Sequence, residues 1–154
     1  MEAVDLRSFR CPRWSELPDL DLYMDQVLIV VANALRPLVP NDPNIITATM
    51  VNNYVKQGIL MPSVKKKYSR DHIATLITIT ALKRVLSVAE IKLVFSVTND
   101  RGEISRRYDG FCAYLENRLS GAESAGKSGD LMQSAVDALA GKLEFEAKCA
   151  ALRQ

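Results

Sequence analysis

The chain has 154 residues, 48% of them hydrophobic, and a net charge of +2, which fits one domain with an appendage, since about 100 to 200 residues per domain is usual. Its main apolar run, Val27 to Ala32, is bounded by Asp25, Gln26, Asn33 and Arg36 and falls far short of the roughly 20 residues of a membrane span. The segment from Met1 to Arg10 includes Glu2 and Asp5 and has no apolar centre of a secretory signal, so a cytoplasmic protein with no membrane partner is expected.

The pattern predicts mostly helix. After a Pro- and Trp-containing start (CPRWSELPDLDL), a first helix runs from Leu22 to about Leu35, with Asp21 as N-cap, Val27, Val30, Val31, Ala34 and Leu35 inward, and Pro37 and Pro40 as stops. Thr47 caps a short second helix that ends at Gly58, a residue suited to the left-handed position just past a helix. Pro62 follows, and then VKKKY, Val64 to Tyr68, which is ready to form a small β-hairpin. Ser69 caps a third helix through Arg84, with Ile73, Leu76, Ile77 and Ala81 on its inner side. Ser87 and Glu90 form a capping box that opens a fourth, with Ile91, Val94 and Phe95 inward. NDRG, Asn99 to Gly102, reads as a turn. A fifth helix from about Glu103 to Leu119 carries the stripe Ile104, Tyr108, Phe111, Leu115 and Leu119. Beyond a Gly/Ser-rich linker, a last helix from Leu131 to Leu152 places Met132, Ala135, Val136, Leu139, Leu143, Ala147 and Ala150 along one side. The expected division is 1–120 for the folded domain, 121–130 for the linker and 131–154 for a C-terminal helix that either dimerises or packs back on its own domain.

Charge is distributed unevenly along these elements. Residues 45–95 hold eight Lys/Arg against two Asp/Glu, whereas residues 1–44 hold four against seven and residues 96–154 eight against nine. An anionic partner should therefore dock on the middle segment. On the short second helix Thr49, Asn52, Asn53 and Lys56 recur at i, i+3, i+4 and i+7 and share one face at about 100° per residue. Val51, Tyr54 and Val55 point elsewhere and can anchor that helix. Asn pairs bidentately with an adenine edge, Thr meets a thymine methyl or a phosphate, and Lys reaches guanine or phosphate. A polar stripe is also what a merely solvated surface helix shows, and three adjacent lysines also occur in solvated loops.

The residues that carry these features resemble a known arrangement. TMVNNYVKQGILMPSVKKKYSRDHIATLITITALKRVLSVAEIKLVF is similar to the winged helix-turn-helix of the MerR family of bacterial regulators at Val51, Tyr54, Gly58, Ile59, Pro62, Tyr68, Ile73, Leu86, Ser87, Glu90 and Ile91. RWSELPDLDLYMDQV, TMVNNYVKQGIL and KKYSRDHIA resemble more closely the bacterial family of domain of unknown function 1836, over most of residues 9–115. The resemblance implies a mostly α, MerR-like winged helix-turn-helix with a small β wing and additional N- and C-terminal helices. Where MerR proteins usually have Arg-Tyr, this chain has Asn52 and Asn53, so base preference does not carry across.

The rest of the chemistry is sparse. Gly121 to Ser128, GAESAGKS, spells the phosphate-loop pattern G-x-x-x-x-G-K-S, but a helix rather than a buried strand precedes it and too little chain follows for a parallel sheet. Cys11, Cys112 and Cys149 lie far apart, in no CxxC or Cys/His spacing, and read as free thiols of the core rather than a disulfide framework or zinc site. His72 is the sole histidine and reads as a helix-start residue, with no triad or carboxylate pair around it. Trp14, Tyr23, Tyr108 and Phe111 are candidates for a ligand pocket, with core packing favoured for at least three of them.

The expectation is a non-enzymatic transcriptional regulator that binds duplex DNA as a homodimer, without cofactor or metal and with no effector identified. Thr49, Asn52, Asn53 and Lys56 would face the major groove, Lys65, Lys66, Lys67 and Arg70 the phosphates, with Thr47 and Tyr68 in the same contact set. The alternative is a protein-interaction module that uses the acidic N-terminal segment and the C-terminal helix.

Overall fold

A computed structural model describes residues 5–98, 103–122 and 130–153. The NDRG turn and most of the phosphate-loop pattern, from Glu123 to Ser128, lie outside the described residues. Among the described residues are a 3-10 turn at Trp14–Glu16 and six α-helices: α1 Met24–Leu35, α2 Ala48–Lys56, α3 Arg70–Leu82, α4 Val88–Val97, α5 Ile104–Ser120 and α6 Leu131–Leu152.

Helix α3 sits in the middle, touching α1, α5, α6 and the 3-10 turn. Nothing charged lies between Asp71 and Lys83, and every residue from His72 to Leu82 is buried. The sequence pattern predicts one inner side for this helix, whereas the structure covers it all round, as expected of a helix apolar on every face. Ile73, Leu76, Ile77, Ile79 and Leu82 are among its fully buried side chains, each stabilising the fold by about 1.5 to 3 kcal/mol relative to exposure. Three threonines are buried with them. Thr78 Oγ1 donates to the Ala74 carbonyl at 3.1 Å, while the hydroxyls of Thr75 and Thr80 have no partner among the described residues.

The helix ends follow local signals closely. Ser87 Oγ accepts the Glu90 N–H at 3.2 Å and the Glu90 carboxylate accepts the Ser87 N–H at 2.8 Å, the reciprocal pairing the sequence predicts. Asp130 caps α6 by accepting the Gln133 N–H at 2.7 Å. The first helix differs from expectation: it starts at Met24, with Tyr23 rather than Asp21 at the N-cap. Leu22 is held extended, donating to the Tyr68 carbonyl at 2.9 Å and accepting the Tyr68 N–H at 2.8 Å, and so cannot join the helix.

Helix α6 packs on α3, α4 and α5 of its own chain. It buries Met132, Ala135, Val136, Leu139, Ala140 and Leu143. Arg118 of α5 reaches Asp137 and Glu144 on α6, and Arg84 bridges Asp42 to Glu146.

The residues before α1 form a strap. Phe9, Cys11 and Leu17 are buried, and Arg13 grips Glu116 of α5 with both ends of its guanidinium, at 2.6 and 3.0 Å. Trp14 donates its backbone N–H to Asp109 at 2.8 Å and its indole N–H to Asp71 at 2.9 Å. Of the four aromatic pocket candidates, Tyr108 and Phe111 are core residues and Trp14 packs against the core, while Tyr23 is exposed.

The small β wing expected at Val64 to Tyr68 is absent as strands among the described residues. Its place is taken by a tight turn with two isolated antiparallel bridges, Val64 with Lys67 and Leu22 with Tyr68. Lys65 and Lys66 occupy the turn, at φ of 53° and 64°, so Val64 and Lys67 close directly on each other through two 3.0 Å backbone hydrogen bonds. The next hydrogen-bonded pair would be Pro62 with Ser69, but Pro62 has no N–H to donate and Ser69 already caps α3, so the ladder ends there.

Candidate nucleic-acid interface

Helix α2 is short, and its two sides are sharply divided. Thr47 caps it, its hydroxyl accepting the Met50 N–H at 3.2 Å. Val51 and Tyr54 are buried, and burial pushes the Tyr54 phenol above its ordinary pKa. Thr49, Asn52, Asn53 and Lys56 are all exposed, on the one face their spacing predicts. The helix stops at a left-handed Gly58, φ 80°. The Ile59 N–H returns to the Tyr54 carbonyl at 3.1 Å and the Gly58 N–H to the Val55 carbonyl at 3.0 Å, which satisfies carbonyls the helix end would leave open. Lys92 of α4 adds a cation here, its Nζ lying 3.5 Å from where a Cβ on Gly58 would sit. That contribution from another helix carries no signal in the sequence.

The lysine turn that follows is clamped at both ends. On the incoming side His72 Nε2 lies 3.0 Å from the Pro62 carbonyl, and its Nδ1 is 3.0 Å from the Ser69 N–H. Both partners are met if Nδ1 accepts and Nε2 carries the proton that Pro62 receives, a tautomer assigned from these contacts. On the outgoing side Tyr68 pairs with Leu22, and its ring meets His72 edge-on with centroids 5.4 Å apart. His72 is thus a helix-start residue, as its position predicts, and also the clamp of the turn.

The sequence-predicted contact residues divide by environment. Lys65 and Lys66 are exposed at the tip, and no ion pair among the described residues involves them. Lys67 is half-buried, its ammonium 5.3 Å from the centre of the Tyr23 ring. Tyr68 is only 6% exposed and belongs to the core. Arg70 is held by the strap, stacked 4.4 Å over Trp14 and 3.7 Å from Asp19. Thr47 is half-buried and occupied as a cap. Seven residues therefore face or approach solvent in one continuous stretch of chain: Thr49, Asn52, Asn53, Lys56, Lys65, Lys66 and Lys67.

Two left-handed lysines in succession are costly. A two-residue turn with positive φ at both positions normally carries Asn-Gly or Asp-Gly, and an L-residue in that region costs about 1 kcal/mol or more. The turn keeps lysine at both positions despite that cost, which puts two ammonium groups at its tip.

Among the described residues no group of three His, Cys, Asp or Glu side chains is placed to hold a metal ion, and no helix is long and apolar enough to cross a membrane.

What the fold defines is a mostly helical domain with a polar helix face and a lysine turn braced from behind by α1, α3 and the N-terminal strap. Residues 12–111, about two-thirds of the chain, match the family model described as a domain of unknown function, DUF1836, and the chain belongs to that family. The matched region holds both α2 and the lysine turn and ends within α5. No curated protein and no solved structure matches the chain.

Proposed function

We propose that this protein binds duplex DNA in the manner of a MerR-like winged helix-turn-helix, with α2 entering the major groove and the lysine turn serving as a minimal wing on the phosphates. The observation that carries the reading is the pairing of an exposed Thr49, Asn52, Asn53, Lys56 stripe with two lysines that make no ion pair among the described residues, in a costly but well-clamped turn. Asn52 and Asn53 supply base-edge hydrogen bonds, and Lys56, Lys65, Lys66 and Lys67 supply phosphate contacts. A bacterial transcriptional regulator acting as a homodimer is the role consistent with that chemistry, two copies reading two half-sites.

The test is fluorescence anisotropy of the purified chain on random-sequence duplex DNA. Affinity should fall about a thousandfold between about 50 and about 200 mM salt if six or more phosphates are contacted. Sites selected from the same pool should then lose base preference with Asn53→Ala, a bidentate contact being worth about 1 to 3 kcal/mol of discrimination. No binding at the lower salt refutes the proposal.

One observation favours a second reading, a protein-interaction module. Leu93 and Val97, one turn apart on α4, are 57% and 60% exposed, an apolar pair suited to a protein partner. Salt-insensitive association with a protein, together with no affinity for DNA, would select it.

A further inference from the structure

Cys11 and Cys112 are separated by 101 residues in sequence yet bring their sulfurs to 3.0 Å, with Cys112 donating. The contact sits where the strap crosses α5, and both residues are buried. The surroundings are polar for so enclosed a place. Tyr108 Oη lies 3.5 Å from Cys11 Sγ and donates to the Pro12 carbonyl. The Cys11 N–H donates to Glu116 at 2.8 Å, and Arg13 lies across the same carboxylate. These contacts fix the strap backbone on both sides of Cys11, so the two sulfurs face each other by construction rather than by the packing of two stray thiols.

We infer that Cys11 and Cys112 form a peroxide-oxidisable dithiol site, which closes to a reversible disulfide that staples the N-terminal strap to α5. The sulfurs need to approach by only about 1 Å to reach the roughly 2.05 Å of the bond. With the strap backbone held in place, that movement falls to rotation of the two side chains about their Cα–Cβ bonds.

In the first step the Cys11 thiolate attacks one oxygen of hydrogen peroxide. The O–O bond breaks, hydroxide leaves and takes up the proton Cys11 has released, and Cys11 becomes a sulfenic acid. In the second step the Cys112 sulfur attacks the Cys11 sulfur, the S–O bond breaks, and hydroxide leaves as water with the Cys112 proton. Two thiols and one peroxide give one disulfide and two waters, the sulfur pair losing the two electrons that peroxide gains. The hydrogen bond from Cys112 lowers the Cys11 thiol pKa, and the same contact together with burial raises that of Cys112. These directions agree with Cys11 as the attacking group.

The third cysteine, Cys149, is half-buried on α6 and serves as an internal control. The folded full chain is treated with equimolar hydrogen peroxide, quenched with catalase, denatured and alkylated with iodoacetamide. Three alkylations before treatment should become one, on Cys149, with a mass lower by two hydrogens before alkylation and a linked peptide pair containing Cys11 and Cys112. Dithiothreitol should restore all three. The Cys149→Ser chain, which retains both buried thiols, should pass from two alkylations to none, and its thermal midpoint should rise on oxidation and fall back on reduction. Three alkylations after treatment, a link that includes Cys149, or overoxidation of Cys11 with Cys112 still alkylatable would each overturn the inference. The experiment involves no DNA, so its outcome is independent of the proposed function.

Discussion

The strap and the lysine turn use their cations in opposite ways. In the strap and the helices behind it arginines are committed: Arg13 to Glu116 and Arg70 to Trp14 and Asp19 at the strap, Arg84 to Asp42 and Glu146 and Arg118 to Asp137 and Glu144 around α6. The ion pairs found among the described residues are made by arginine, while Lys56, Lys65 and Lys66 stand exposed without a carboxylate partner there. The planar, multi-donor guanidinium suits a fixed structural staple, and the compact, hydrated ammonium suits contact with a partner that comes and goes. The positive charge that holds the fold is thus largely distinct from the charge available for binding.

If that division holds, the largest stability effect comes from the strap. Arg13→Ala strips Glu116 of a bidentate partner and should cost about 1.5 to 3 kcal/mol, read as a lower thermal midpoint. The loss should depend on pH. Burial alone would raise the Glu116 pKa, but hydrogen bonds from Arg13 and the Cys11 N–H outweigh it and hold the carboxyl below its ordinary value. A depressed folded pKa contributes stability above the unfolded value and loses it as pH falls through the folded one. Wild type and variant should therefore converge in acid and differ most near neutrality, and a gap independent of pH would contradict the assignment.

A smaller effect of opposite sign is expected in the turn. Lys65→Asn with Lys66→Gly supplies the residues a two-residue turn with positive φ prefers and should stabilise the fold by about 1 kcal/mol, while weakening DNA binding. Calorimetry and anisotropy on one preparation would show stability and binding moving in opposite directions. A destabilised variant would mean that the lysine side chains brace the turn. Smallest of all, Asn52→Ala on the exposed face of α2 should leave stability within about 0.5 kcal/mol of wild type. A larger effect would show that this face is engaged in the fold.

Much of this architecture is legible in the sequence because local chemistry determines it. Gly58, Ser69 and the Ser87/Glu90 box mark helix ends that the structure reproduces, since a cap needs only residues within one turn of itself. The bounds of α6 coincide with the expected Leu131 and Leu152. What the sequence does not disclose is long-range. Arg13 with Glu116 and Cys11 with Cys112 join residues about 100 positions apart, and no periodicity encodes such pairs. The complete burial of α3 is also missed, because a periodic pattern identifies a best face but does not show how many neighbours cover the others. In the candidate site, α2's exposed stripe is readable from spacing alone. The burial of Tyr68 and the diversion of Arg70 to Trp14 depend on the strap folding back over the start of α3. The wing reads as a hairpin because β-propensity and length permit one. The left-handed Lys65 and Lys66 close it after a single bridge.

The most direct test of the division between structural and available charge is the salt dependence of DNA binding for wild type and for Lys65→Ala with Lys66→Ala, with thermal midpoints measured alongside. The expected result is an unchanged midpoint, weaker binding on every sequence, and a log–log salt slope shallower by about 0.9 for each phosphate that a lysine no longer neutralises. Unchanged affinity and slope, with the midpoint intact, would contradict it and leave the lysine turn without a role in binding DNA.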